Sequence, residues 1–107
     1  MLNPSALKMV VTFAAGQSID ILARLIGQSL SDRLGQSFII ENKPGAGANI
    51  GTETVVRASP DGYTLLLGQD SQIVISPHLY AKLPVDTLKD LAPVATLVTT
   101  TMVLAVN

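Results

Sequence analysis

Three short stretches hold the residues whose types and spacing could do chemistry. They are Ala14-Ala15-Gly16-Gln17-Ser18-Ile19-Asp20, Pro44-Gly45-Ala46-Gly47-Ala48-Asn49-Ile50-Gly51 and Gly68-Gln69-Asp70-Ser71-Gln72. Each offers small residues, hydroxyls or carboxamides and free backbone N–H groups, and none contains Lys or Arg. Where such a stretch opens a helix, the unpaired N–H groups of the first turn carry roughly half a positive charge, enough to hold a carboxylate or phosphate without a cationic side chain. The chemistry suggested is capture of a small anion.

Other chemistries fit less well. Gly45-Ala46-Gly47-Ala48-Asn49-Ile50-Gly51 follows an apolar run and opens a helical pattern, yet a dinucleotide fingerprint needs its third Gly where Ile50 stands. No Gly-Lys-Ser/Thr is present for a phosphate-binding P-loop. Ser18 or Ser71 with His78 and Asp20 or Asp70 would make a hydrolase set, but no Gly-x-Ser-x-Gly elbow exposes a nucleophile. Asp61, Asp86 and Asp90 sit at turns or helix starts, where local capping explains them. Tyr80, after Pro77-His78-Leu79, reads as a packing residue, the usual role of an aromatic ring. A single His and no Cys leave neither a metal cluster nor thiol chemistry, and no cofactor is implied.

The elements that must position these loops follow from the apolar pattern. Lys8 to Phe13 is rich in β-branched and apolar residues and reads as a first strand buried on both faces. Ser18 is the expected N-cap of a helix of about four turns, in which Ile19, Leu22, Leu25, Ile26, Leu30 and Leu34 recur at helical spacing up to Gly35. Ser37 to Glu41 is a second strand, and a shorter helix from Asn49 to Ala58 carries Glu53 and Arg57 as an i,i+4 pair. Ser59-Pro60-Asp61-Gly62 has the chemistry of a type I turn and leads into a third strand, Tyr63 to Leu67. Strands joined by such helices lie parallel, which gathers the loops at their carboxyl ends on one edge. Beyond Gly68 the chain reads as loop with short turns, including a helical turn at Asp86 to Asp90. Val94 to Val106 then reads as two strands, or one long bent strand.

Composition narrows the function classes. The 107 residues are 48% hydrophobic and 14% charged with a net charge of -1, so the long-range attraction that nucleic acids and anionic membranes require is absent. Leu91 to Asn107 carries no charge, but Pro93 and four Thr within a run short of ~20 apolar residues argue against a membrane span. No basic segment followed by an apolar one opens the chain, so no export signal is visible.

Taken together, Val10 to Arg24, Glu41 to Gly51 and Ser59 to Leu66 resemble the tripartite tricarboxylate transporter substrate-binding family, also called the Bug family. Pro77-His78-Leu79-Tyr80-Ala81-Lys82-Leu83-Pro84 and Lys89-Asp90-Leu91-Ala92-Pro93-Val94 extend the resemblance to nearly the whole chain. It implies a periplasmic solute-binding protein of α/β class, a three-layer sandwich of the type II periplasmic-binding-protein kind. Such a protein captures a small carboxylic acid for membrane transporter components or a sensor and is not an enzyme. The ligand-binding positions implied here are Gly16, Gln17, Ser18, Asp20, Gly45, Ala46, Gly47, Ala48, Asn49 and Gly51, with Ser71 on the third loop. Where the family usually has Pro-Gly-Gly and a Ser-Thr pair, this chain has Ala15-Gly16-Gln17 and Ser18-Ile19.

Two such domains with a cleft between them need roughly 250 to 300 residues. The expected organisation is therefore an extension over residues 1–7 and a partial ligand-binding domain over residues 8–107, the first part of domain 1, with the second domain absent. The alternative expectation is a truncated, stand-alone module that self-associates through an exposed sheet edge near Val94 to Val106, without ligand binding.

Overall fold

The computed structural model describes residues 6–107. The extension expected over residues 1–7 lies outside them except for Ala6 and Leu7, and Leu7 already belongs to the first strand. The elements are β1 (Leu7–Val11), α1 (Ser18–Leu34), β2 (Phe38–Asn42), a tight turn at Ala46–Ala48, α2 (Asn49–Arg57) and β3 (Thr64–Leu67). A wide π-helical turn at Ser71–Ile75 then runs into α3 (Ser76–Leu79), and α4 (Thr87–Asp90) follows.

β1 is the centre of a three-stranded parallel sheet with order β2-β1-β3. Val11 stands opposite Asn42 on one side and Leu67 on the other, so the three strands end level. Side chains alternate across the sheet. Met9 and Val11 pack with Ile19, Ala23 and Leu67 beneath α1, joined by the half-buried Phe13, Ile26, Leu30, Phe38 and Ile40. Val10 and Thr12, both 0% exposed, face the other way, where α2 lies close enough that a Cβ on Gly51 would come within 2.8 Å of the Thr12 methyl. The chain steps from β1 out to β2 and then back past β1 to β3, and crossovers of one hand in opposite directions put their helices on opposite faces. The result is a helix–sheet–helix sandwich whose strand ends deliver all three candidate loops to one edge.

Local chemistry explains most of the element ends. Gly35 closes α1 at φ 68°, donating its N–H to the Ser31 carbonyl, the left-handed stop that glycine adopts without steric cost. Glu53 and Arg57 form the expected pair at 2.7 Å on the exposed face of α2. Asp86 caps α4 by accepting the Leu88 N–H at 3.1 Å.

Several expectations are corrected. The N-cap of α1 is Gln17, and no side chain caps it; Ser18 is the first helical residue. The turn after α2 closes from the Asp61 N–H to the Ser59 carbonyl at 2.8 Å, tighter than a type I turn, and the Asp61 carboxylate then accepts the Tyr63 N–H. The stretch after Gly68 is helical rather than loop from Ser71 to Leu79, because Gln72 is drawn inward to donate to the Thr12 hydroxyl at 3.1 Å. The strands expected between Val94 and Val106 do not form. Val94 is 83% and Leu104 91% exposed, and no strand among the described residues pairs with the outer edge of β2 or β3. β-branched composition becomes a strand only where a neighbour accepts its ladder of hydrogen bonds.

The contact between α2 and the sheet is tight and open to test. Gly51→Ala would place a methyl 2.8 Å from the Thr12 methyl and 2.9 Å from the Lys43 carbonyl oxygen. Overpacking of this kind costs about 1–3 kcal/mol, which outweighs the gain of up to ~1 kcal/mol that Ala brings to a helix interior. Urea unfolding of the variant is expected to show a lower midpoint, and an unchanged or raised midpoint would show that the helix has room to withdraw.

Candidate functional site: the loops at the strand ends

The first loop is held from behind by Asp20. The residue is only 3% exposed, and Oδ2 accepts the Gly16 N–H at 3.0 Å and the Arg24 Nε–H at 3.1 Å. Oδ1 accepts from Asn42 Nδ2 at 3.0 Å, and the same Asn42 nitrogen reaches the Phe13 carbonyl at 3.3 Å. Arg24 closes the ring by donating from Nη2 to Asn42 Oδ1 at 3.3 Å. One carboxylate thus ties the first loop to the end of β2, immediately before the second loop. The hydrogen bond from the Gly16 N–H, then that from Asn42, then the Arg24 guanidinium hold its pKa at about 2, against the opposing effect of burial. Gly16, at φ 93°, Gln17 and Ser18 remain exposed in front of this clamp.

The second loop has an unusual backbone. Gly45, Ala46, Gly47 and Ala48 have φ of 123°, 51°, 62° and 77°, four positive values in succession, two of them at alanine. A left-handed conformation costs an L-residue roughly 1–2 kcal/mol, and strain of this sort gathers at functional sites. The turn is closed by the Ala48 N–H to the Gly45 carbonyl at 3.1 Å and the Asn49 N–H to the Ala46 carbonyl. The N–H groups of Ala46 and Gly47 make no hydrogen bond among the described residues. Successive N–H groups on a curled backbone form an anion-binding concavity, and α2 begins directly after it. Ala48 and Gly51 are buried and anchor this turn to the sheet, whereas Gly45, Ala46 and Gly47 are exposed and Asn49 is half-buried.

The third loop enters the π-helical turn. Ser71 is half-buried with its hydroxyl fully enclosed and unpartnered, and Gln72, 1% exposed, has an unpartnered carbonyl oxygen. Nothing in the local pattern marks Gln72 as a neighbour of the site, because glutamine is ordinarily exposed and its partner Thr12 lies sixty residues away. Tyr80, expected to pack, is instead 45% exposed, and its hydroxyl lies 3.0 Å from where a Cβ on Gly47 would stand. His78 is exposed and forms no hydrogen bond with Ser18 or Ser71, so the hydrolase set is not assembled. Among the described residues no group of three or more His, Cys, Asp or Glu could hold a metal ion.

The Asp20 clamp has a pH signature. A carboxylate whose folded pKa lies at about 2, below its ordinary value of 3.8, stabilises the fold above about pH 4 and loses that contribution as pH falls toward 2. Asp20→Asn removes the charge and the titration and turns one of the two acceptor oxygens into a donor. Acid unfolding of this variant is expected to start from a lower stability at pH 7 and to show a flatter limb between about pH 4 and 2. Superposition of the two pH profiles would contradict the clamp.

Comparisons with known proteins bear on the family and the fold. Residues 22–107 match the family model described as tripartite tricarboxylate transporter family receptor. A protein of the UPF0065 group from Bordetella bronchiseptica is 44% identical over 101 residues, covering 94% of this chain and 30% of that protein. Among solved structures, one titled a periplasmic transporter superposes with a TM-score of 0.75 at 45% identity, covering 78% of this chain and 28% of its own. MatC from Rhodopseudomonas palustris, solved with bound malate, also gives a TM-score of 0.75, at 38% identity, covering 79% of this chain and 29% of its own. The chain therefore spans about three tenths of the length of the relatives it matches. The α/β periplasmic-binding fold that the loop motifs implied is the fold of these neighbours. Because the family model covers most of the chain and relatives this similar extend across it, the chain belongs to the tripartite tricarboxylate transporter receptor family.

Proposed function

We propose that this chain forms one wall of the cleft in which an extracytoplasmic receptor captures a small carboxylate and hands it to membrane transporter components. The observation that carries the reading is the left-handed turn at Gly45–Ala48, where the free N–H groups of Ala46 and Gly47 stand beside the start of α2. These donors, with the exposed Gly16, Gln17 and Ser18, suit an anion that needs no Lys or Arg in the loops. Asn49 and Ser71 lie at the margins of the same edge. Asp20 keeps the first loop in place rather than facing the ligand, and Ala48 and Gly51 set the height of the second loop over the sheet. Support from outside the chain comes from MatC, whose structure holds malate. The chain's role is binding, and closure around a ligand requires a facing wall that these residues do not supply.

A second reading is favoured by one specific observation: Leu97, Val98, Met102, Val103, Leu104 and Val106 are all exposed, and among the described residues both sheet edges are open. In that reading two copies pair along an edge and the loops bind nothing.

The two readings separate in one experiment on the intact gene product. Thermal unfolding in a panel of mono-, di- and tricarboxylates is expected to show stabilisation by at least one of them, about 2.7 kcal/mol at a hundred times its Kd. A well-defined dimer with cooperative unfolding and no response to any carboxylate would establish the second reading and overturn the first.

A further inference from the structure

Tyr80 follows α3, which is closed by the Tyr80 N–H donating to the Ser76 carbonyl at 3.1 Å. The backbone turns to an extended conformation there, at φ -97° and ψ 128°, and the phenol reaches the second loop. Its hydroxyl lies 3.0 Å, and its ring carbon Cζ 4.0 Å, from the point where a Cβ on Gly47 would stand. The ring therefore approaches Gly47 tip first, hydroxyl leading, and a side chain at position 47 would press on the phenol. The hydroxyl makes no hydrogen bond among the described residues, and Tyr80 is 45% exposed. A ring placed only for packing would bury its face and leave the tip to solvent. Here the tip is the part that meets the strained turn carrying the free N–H groups of Ala46 and Gly47.

We infer that Tyr80 is a specificity-determining ligand residue, whose hydroxyl donates to a carboxylate held by the left-handed turn at Gly45–Ala48. The inference rests on the carboxylate-binding reading above and adds a side-chain donor to a site otherwise made of backbone groups. A phenol is a neutral O–H donor, so it strengthens the hold on a carboxylate oxygen without introducing a charge that would also attract phosphate or sulfate.

The test is Tyr80→Phe in the intact gene product, which removes one oxygen and keeps the ring. Kd values for malate and for the best carboxylate of the panel are measured by calorimetry, and the ligand-free Tm is measured beside them. The expected result is a Kd about tenfold weaker with a ligand-free Tm within ~1 °C of the parent, as loss of one hydrogen bond to a charged group implies. A parent that binds with a Tyr80→Phe Kd within about twofold of it overturns the inference while leaving the carboxylate reading intact. A lowered Tm with unchanged Kd likewise overturns it and assigns the phenol to packing. A parent that binds no carboxylate overturns the inference together with the reading on which it rests.

Discussion

The buried carboxylate of Asp20 is the interaction on which the candidate site depends. Parallel pairing brings the ends of β1 and β2 level, with Val11 beside Asn42, but pairing alone leaves the loops beyond those ends free to splay. Asp20 gathers the Gly16 N–H, the Asn42 amide and the Arg24 guanidinium at one point behind the first loop. Each donor comes from a different place in the chain: the loop, the far end of β2 and the next turn of α1. An ionised acceptor makes such bonds stronger than neutral ones, and the carboxylate itself is shielded from water although Arg24 is half exposed. The clamp leaves the exposed residues of the loop presented outward in front of it.

The second loop stores its order in a different form. Left-handed Ala46 and Ala48 are unfavourable on their own and persist because the neighbouring contacts leave no alternative. Ala48 is 1% exposed, and its carbonyl accepts the Thr52 hydroxyl at 2.9 Å, while Gly51 sits hard against Thr12 and the Lys43 carbonyl. The buried face of α2 thus dictates the conformation of the turn that precedes it. The consequence is electrostatic: the Ala46 and Gly47 N–H groups have no partner among the described residues and the loop contains no Lys or Arg, so the partial positive charge they carry does not titrate. Arg24 and Lys43 are engaged elsewhere, with Asp20 and Glu41.

Much of this is legible in the residues, and the reasons for the rest are physical. The β-α-β-α-β order follows from apolar spacing, and the gathering of three loops on one edge follows from parallel pairing. The start of α1 lies one residue from where Ser18 would set it as a cap: no side chain takes the capping role, and Asp20 in the first turn reaches back to the Gly16 N–H instead. Left-handed alanines carry no mark of their conformation, since it is imposed by packing several residues away. The inward turn of Gln72 and the approach of Tyr80 to Gly47 depend on contacts across 60 and 33 positions of sequence, beyond the reach of local pattern. The strands expected near Val94 to Val106 fail for the complementary reason: their composition is suited to a sheet, but no partner strand among the described residues reaches them.

The most direct test of the central claim is to map malate, the acid bound by MatC, onto the backbone amides of the intact gene product by proton–nitrogen correlation spectroscopy. Backbone donors that capture a carboxylate report it themselves, so the amides of Ala46 and Gly47 should move most, downfield and in saturable fashion, with Gly16 and Gln17 following. Binding of malate that leaves the Ala46 and Gly47 amides unmoved, while other amides shift, would contradict the account.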